Sequence, residues 1–275
     1  MENENTLTDY TEKPLYLHAF NFILMIKYLL SFLLLILFLN NAQSQSSVRD
    51  SSINAVLVGV GAGVYIPAGD IADRFGDNLT IHLSCGLKRH NNWIYSVEGD
   101  YIFGGDIKQN DIFKNIQTSD GFIIGSDGKF ATVRTFERGY LVTFNVAKLI
   151  TTGKPNKNTG FLLRFGTGFM QHKIKIETVG NTVPFLDKEY RKGYDHLSNG
   201  LALHQFIGYQ YMSNRKTINF FAGFDFFAGF TQNRREFNFD EMRKDDTKRK
   251  DILLGIKVGW ILPLYKQAPN SFYYN

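Results

Sequence analysis

Cysteine is almost missing from this chain. Cys85 is the only one in 275 residues, which excludes an intrachain disulfide and any metal knuckle built on paired cysteines. No cysteine stands at a leader junction to be lipidated. No long apolar run follows residue 39, so a mature chain of this kind cannot cross a membrane with a hydrophobic helix. That does not exclude a β-barrel, whose strands meet lipid only at every second residue and give a weak hydropathy signal. The formal charge is +5, but the bases are spread over loops and form no long unbroken run. Such a surface can attract anionic headgroups. It offers no footprint for nucleic acid, which is not an expected partner.

What is present begins with a leader. Met25-Ile26-Lys27 precedes an apolar core at 28–39, and Asn40-Asn41-Ala42-Gln43-Ser44 then supplies small residues. This is the organisation of a secretory signal peptide, cleaved near Ser44. The alternative is an N-terminal anchor, but the core is short of the roughly 20 residues a spanning helix needs. Residues 1–24 are expected to be a misassigned start, because they lack periodicity and precede a better start at Met25. The expected organisation is a 1–24 extension, a 25–44 signal peptide, a 45–53 periplasmic segment, a 54–265 barrel and a 266–275 periplasmic tail.

The clearest pattern lies at 217–230, T-I-N-F-F-A-G-F-D-F-F-A-G-F. Ile218, Phe220, Ala222, Phe224, Phe226, Ala228 and Phe230 form one face with no polar group. The other face mixes Asn219, Gly223, Asp225 and Gly229 with two phenylalanines. A period of two over such a length is a strand, long enough for a tilted crossing of a bilayer. Similar alternation recurs at 54–66, 79–87, 93–103, 140–150, 160–172, 201–211 and 251–263. In the first of these, Gly59-Val60-Gly61-Ala62-Gly63 could pass for a phosphate loop. That loop must lead into a helix, whereas here the alternation runs on to Pro67, and the glycines read as a crowded inner wall. Parity is less clean from Gln171 to Ile176, where a bulge or an exit from the membrane is expected. Gln205 interrupts an otherwise apolar face, Lys148 can snorkel from the lipid side, and Pro263 should end the last ladder.

The connections alternate, long after the first, third, fifth and seventh strands and short after the others. Two Ser-Asp-Gly turns (119–121 and 126–128) bracket an expected small hairpin in the excursion at 104–139; their aspartates lack the spacing of a calcium loop. The fold class is therefore all-β: an eight-stranded antiparallel transmembrane β-barrel with long extracellular loops and short periplasmic turns. Trp93, Tyr211 and Trp260 fall at one edge, and Tyr101, Phe103, Tyr140 and Phe230 at the other. Those are the places of two aromatic girdles. A soluble lipocalin-like barrel would invert the two faces.

The glycine-rich first strand, its exit Tyr65-Ile66-Pro67-Ala68-Gly69-Asp70 and the Asn/Gln-containing leader end carry a resemblance. On these residues the chain resembles small outer-membrane β-barrel proteins of Gram-negative bacteria, those of the Bacteroidota in particular. The resemblance covers about 50–265 and implies a fold and an outer-membrane location, without an assigned function. Such barrels usually end on an aromatic residue, whereas this chain continues through 266–275.

Candidate chemistry lies on the inner face: His82, Glu98, Asp100, Thr143, Asn145, Arg164, His204, Asp225 and Lys257. An eight-stranded barrel is just wide enough to be filled by its side chains, and buried charges must be paired. The acids Glu98, Asp100 and Asp225 are thus expected to neutralise Arg164 and Lys257 in a structural plug. No cofactor and no metal are expected, since His82 and His204 sit on strands far apart in order. In the loops, Asp195, His196 and Ser198 raise the question of a hydrolytic triad, although loop neighbours rarely converge as one. The charged stretch 231–250 reads as a solvated loop near lipopolysaccharide phosphates; with 179–200 it is alternatively a docking site for an envelope partner. The preferred reading is a monomeric barrel with a structural or accessory role, acting through exterior loops and surrounded by outer-membrane lipid. A lipid-modifying acyl hydrolase or acyltransferase is the second, and a narrow solute or ion channel the third.

Overall fold

The structure, a computed structural model, describes residues 52–265 apart from 110, 180–182, 188 and 215–217. The expected extension, signal peptide and C-terminal tail lie outside the described residues. Nine strands follow in order: β1 (Ala55–Gly69), β2 (Asn78–Lys88), β3 (Trp93–Gly104), β4 (Ile123–Ile124), β5 (Phe130–Thr151), β6 (Gly160–Val179), β7 (Ser198–Met212), β8 (Asn219–Asn233) and β9 (Lys248–Tyr265). Each long strand pairs antiparallel with its neighbour, β9 pairs with β1, and β3 pairs with β5 across the excursion. The sheet therefore closes into a barrel of eight strands. β4 forms a small hairpin with the start of β5; the two Ser-Asp-Gly turns do not bracket it, since 126–128 is its tip and only 119–121 precedes it.

Closure leaves every strand with one face in and one face out, and burial follows the parity read from the sequence. Outward positions are apolar and open: Phe224 is 72% exposed, Phe144 65% and Leu83 59%. A contiguous apolar belt of this extent suits hydrocarbon, not water. No helix among the described residues is long and apolar enough to cross a membrane. Gln205 is exposed within this belt between Phe165 and Phe226, and nothing in the structure explains it.

Several strands exceed their expected bounds. β5 begins ten residues before Tyr140, because Arg134 and Arg138 occupy its outward positions and disguise strand as loop. β6 keeps an unbroken register with β5 from Gly160 to Val179, so the irregular parity at Gln171 to Ile176 is no bulge. It is an ordinary strand rising past the apolar belt. Ile218 lies outside β8, which instead runs on to Asn233.

Pro263 does not end its ladder, since β9 pairs with β1 through Tyr265. The β8–β9 register has already stopped at Phe220↔Trp260. Pro67 is placed likewise, paired with Leu253 beyond the last β1–β2 pair, Tyr65↔Asn78. A residue without an N–H fits where one side of its strand has no neighbour.

The glycines of the inner wall make room for rings. A Cβ on Gly63 or Gly255 would stand 2.5 Å from the Tyr65 ring, and one on Gly259 2.4 Å from Phe221. Small wall and large filler are complementary. Tyr65, Phe206, Phe221 and Phe227 lie across the bore, each at most 2% exposed.

Candidate functional site

The filled bore has layers. At the short-turn end, Leu57, Ile94, Leu149, Leu162, Phe206 and Ile261 pack as one apolar cluster. Above them sits the charged group, then a second apolar layer with Ile102, Leu141, Met170, Phe227 and Leu253.

The charged group brings together Glu98, Asp100, Asp225, Arg164 and Lys257, and with them His82 and His204 of the same inner face. Lys257 Nζ lies 3.0 Å from Asp100 Oδ1 and 2.6 Å from Asp225 Oδ2. Tyr65 donates its hydroxyl to Asp225 at 2.6 Å, and His204 Nε2 meets the other Asp225 oxygen at 2.6 Å. His82 Nδ1 is 3.0 Å from Asp100. Arg164 reaches Glu98 at 2.8 Å, and Ser96 donates to the second Glu98 oxygen. Asn145 donates its amide to Thr143, which leaves its oxygen to accept from His204 Nδ1 at 2.7 Å. His204 thus bridges Asn145 and Asp225. Arg164 and Lys257 face the three carboxylates, and His82, His204 and Tyr65 hydrogen-bond to two of them, which makes their burial tolerable. Phe227 stacks on His204 at 4.4 Å and carries Lys257 over its face at 5.0 Å. The space left beside Glu98 and Arg164 is about 20 Å³, room for about one water.

A second polar cluster, which sequence reasoning missed, closes the long-loop end. His172 Nε2 is 2.8 Å from Asp251 Oδ2, and Thr231 donates to the same oxygen. Arg74, from the short 3-10 turn after β1, donates to Ser198 at 3.2 Å and lies 3.7 Å from Asp251. Burial pushes the Arg74 guanidinium down to about 10, with Asp251 pulling the other way, so it stays charged at neutral pH. His172 and Asp251 continue the inward parity of their strands, and that is the signal that could have found them. Arg74 has no periodicity to betray it.

The loop triad does not assemble. Asp195 is held by Arg235 through both oxygens, at 2.7 and 2.5 Å. His196 instead meets Asp240 at 3.0 Å, and Ser198 donates to the His196 carbonyl at 3.1 Å. Three neighbours in sequence have three separate partners, and Ser198 is fully buried.

The loops fold together over the barrel mouth. Phe239 packs on Tyr194 at 5.3 Å and Tyr190 at 6.2 Å, and its N–H donates to the Gly193 carbonyl. Asn115 from the β3–β5 excursion donates to the Phe239 carbonyl at 2.6 Å. The charges around them pair locally, as in Lys244–Asp246 and Arg243–Glu241, both on the surface. Tyr190 and Phe237 remain exposed on this cap.

Of the expected girdle, Trp93, Tyr211 and Trp260 stand at the short-turn end, with Tyr211 stacked on Phe220. Lys148 Nζ lies 4.9 Å above the Trp93 ring and donates to the Asn91 carbonyl, so its charge leaves the apolar face as a snorkelling lysine does. Tyr101, Phe103, Tyr140 and Phe230 stand toward the long-loop end, the first two stacked at 6.4 Å.

No known protein family matches this sequence, and no curated protein does. Among solved structures, the chain is similar to Ail, the attachment invasion locus protein of Yersinia pestis (10% identity, TM-score 0.42, 76% of this chain and 99% of that one). It is similar also to Neisserial surface protein A (12%, 0.39, 74% and 96%). The N-terminal β-barrel domain of Pseudomonas aeruginosa OprF is another (12%, 0.34, 76% and 98%). At such values the fold rests on this chain's own strand pairing.

Proposed function

We propose that the chain is a monomeric integral outer-membrane barrel with a closed bore, serving a structural or accessory role through its loop cap. The observation that carries this reading is the bore itself: a network of paired, buried charges lies between two apolar layers of buried side chains. The even strand count keeps both ends of the barrel on one side, and the short turns on that side fit the periplasm, with the cap facing out among lipid and lipopolysaccharide headgroups. The glycine-rich β1 and its exit through Asp70 support the narrower assignment to the barrels of the Bacteroidota. The leader at 25–44 fits the same route to the outer membrane.

A channel would need an open bore and an acyl-transfer enzyme a convergent nucleophile and base, and the residues on hand argue for neither. The cap is the surface left for recognition, with Tyr190 and Phe237 as its exposed anchors. Planar-bilayer recording of the purified barrel tests the reading. Silence across a range of voltages is the expected result, and sustained single-channel steps would refute it.

A further inference from the structure

One charged patch is unlike the rest of the surface. β5 and β6 rise beyond the aromatic ring as a two-stranded ribbon whose inner face packs under the loops through Ile174 and Ile176. Its outer face continues the lipid-facing parity of Tyr140 and Phe169, and there Arg134, Arg138, Lys173 and Lys175 surround a single apolar residue, Phe136, with the Arg138 guanidinium 5.1 Å over its ring and donating to the Glu137 carbonyl. Arg138 and Lys173 stand directly opposite one another in the register. Like charges so placed repel and destabilise a strand pair, unless an anion lies between them. Glu177 is the one carboxylate on this outer face, opposite Arg134, and it is bonded to Lys175 at 2.6 Å. Asp195 lies 4.0 Å from Lys173 but is already held by Arg235 through both oxygens. Among the described residues, neither Arg134 nor Arg138 has a carboxylate within ion-pair distance.

The height of the patch selects the anion. Arg138 and Lys173 lie two residues beyond Tyr140 and Gln171, about 7 Å along the strands. The headgroup zone on each side of the hydrocarbon is about 5–7 Å deep. Below the pair, on the same outward faces, Tyr140, Val142, Phe165 and Phe169 form an apolar wall.

We infer that Arg138 and Lys173, flanked by Arg134 and Lys175, bind the phosphate of an outer-leaflet lipid whose acyl chains lie along β5 and β6. This rests on the membrane reading above and gives it one specific lipid contact. Arg138 supplies a planar guanidinium and Lys173 a point charge, the pairing suited to a phosphate approached from the lipid side.

The test reconstitutes the full chain into phosphatidylcholine vesicles containing either lipid A or its enzymatically dephosphorylated form. The protein is then recovered in mild detergent, and the lipid retained per barrel is counted by native mass spectrometry. Wild type should retain the phosphorylated lipid and little of the other. Arg138→Gln with Lys173→Gln should lower retention about tenfold, the scale of losing one or two charge-assisted hydrogen bonds. Lys248→Gln with Lys250→Gln, on the far side of the barrel, should leave it unchanged. Heat-dependent gel mobility checks that each variant is folded; should the double variant misfold, Lys173→Gln alone is the milder version and should still lower retention. Equal retention of both lipids, or undiminished retention by folded Arg138 and Lys173 variants, overturns the site but leaves the barrel reading intact. Failure of the wild type to enter vesicles at all overturns both.

Discussion

Replacing Lys257 with methionine removes the cation that the bore is built around while keeping most of its volume. In the structure that ammonium is fully buried and touches two carboxylates, Asp100 at 3.0 Å and Asp225 at 2.6 Å. Their remaining partners are His82 for one, and His204 with Tyr65 for the other. Removing one member of a buried ion pair costs about 3–5 kcal/mol, because the partner is left charged and unpaired. Here two carboxylates lose the same cation, so the upper part of that range is expected. Adding Asp225→Asn removes one of the stranded charges, and the double variant should lose less than the sum of the single losses. The assay is urea unfolding of the reconstituted barrel, followed by the fluorescence of Trp93 and Trp260 and extrapolated linearly. Lys244→Met is the internal control, since its partner Asp246 is two-thirds exposed and such surface pairs contribute little. If Lys257→Met shifts the midpoint no more than Lys244→Met does, the idea of a charge network holding the bore fails.

Other expectations follow from single contacts. Tyr65→Phe removes one hydrogen bond to Asp225 and should cost about 1–2 kcal/mol in the same unfolding assay. Glu137 lies on β5 beyond the aromatic ring, outside the hydrocarbon, and burial pushes its carboxyl up to about 7. A folded-state value above the unfolded one stabilises at low pH. Its contribution should be complete below about 4.5 and fade as pH rises through about 7, and Glu137→Gln should flatten that dependence in unfolding measured from pH 5 to 9. Arg235→Ala frees Asp195 from its two-point hold, and limited proteolysis should cut the β6–β7 loop faster while leaving the barrel intact. Gly61→Val would place a Cβ 2.4 Å from the Val258 carbonyl. The crowding should cost about 1–3 kcal/mol, visible as a lower temperature for loss of heat-modifiable mobility.

The legible part of this molecule was the part governed by a period of two. Parity alone placed Phe224 outside and Asp225 inside, and it gathered Glu98, Asp100, Arg164 and Lys257 from three strands without any knowledge of register. The inward set had to converge, because eight strands enclose a bore only a few side chains wide. Legibility ended where the solvent changed. Past the belt, β5 carries Arg134 and Arg138 on its outward face, so strand there has the composition of loop. The same change hid the β5–β6 ribbon and its cation patch. Pro263 misled for a different reason: whether a proline ends a ladder depends on which neighbour is still beside it, and that is a fact of register. Arg74 could not be foreseen, since it reaches Ser198 from a turn far away in the chain. The loop residues Asp195, His196 and Ser198 are neighbours in sequence, but Asp195 and His196 turn to Arg235 and Asp240, partners that only the folded cap supplies, and Ser198 turns back to the His196 carbonyl.

Cys85 offers the most direct test of the claim that the outward face of the wall meets hydrocarbon. It is the only cysteine in the chain and stands on the outward face of β2, opposite Val58 and Val97, so the natural sequence can carry a nitroxide without substitution. In reconstituted protein the label should collide readily with dissolved oxygen and hardly at all with a water-soluble nickel chelate. A label that met the nickel complex as freely as one on an exposed loop would place water against the wall, and the membrane account would be wrong.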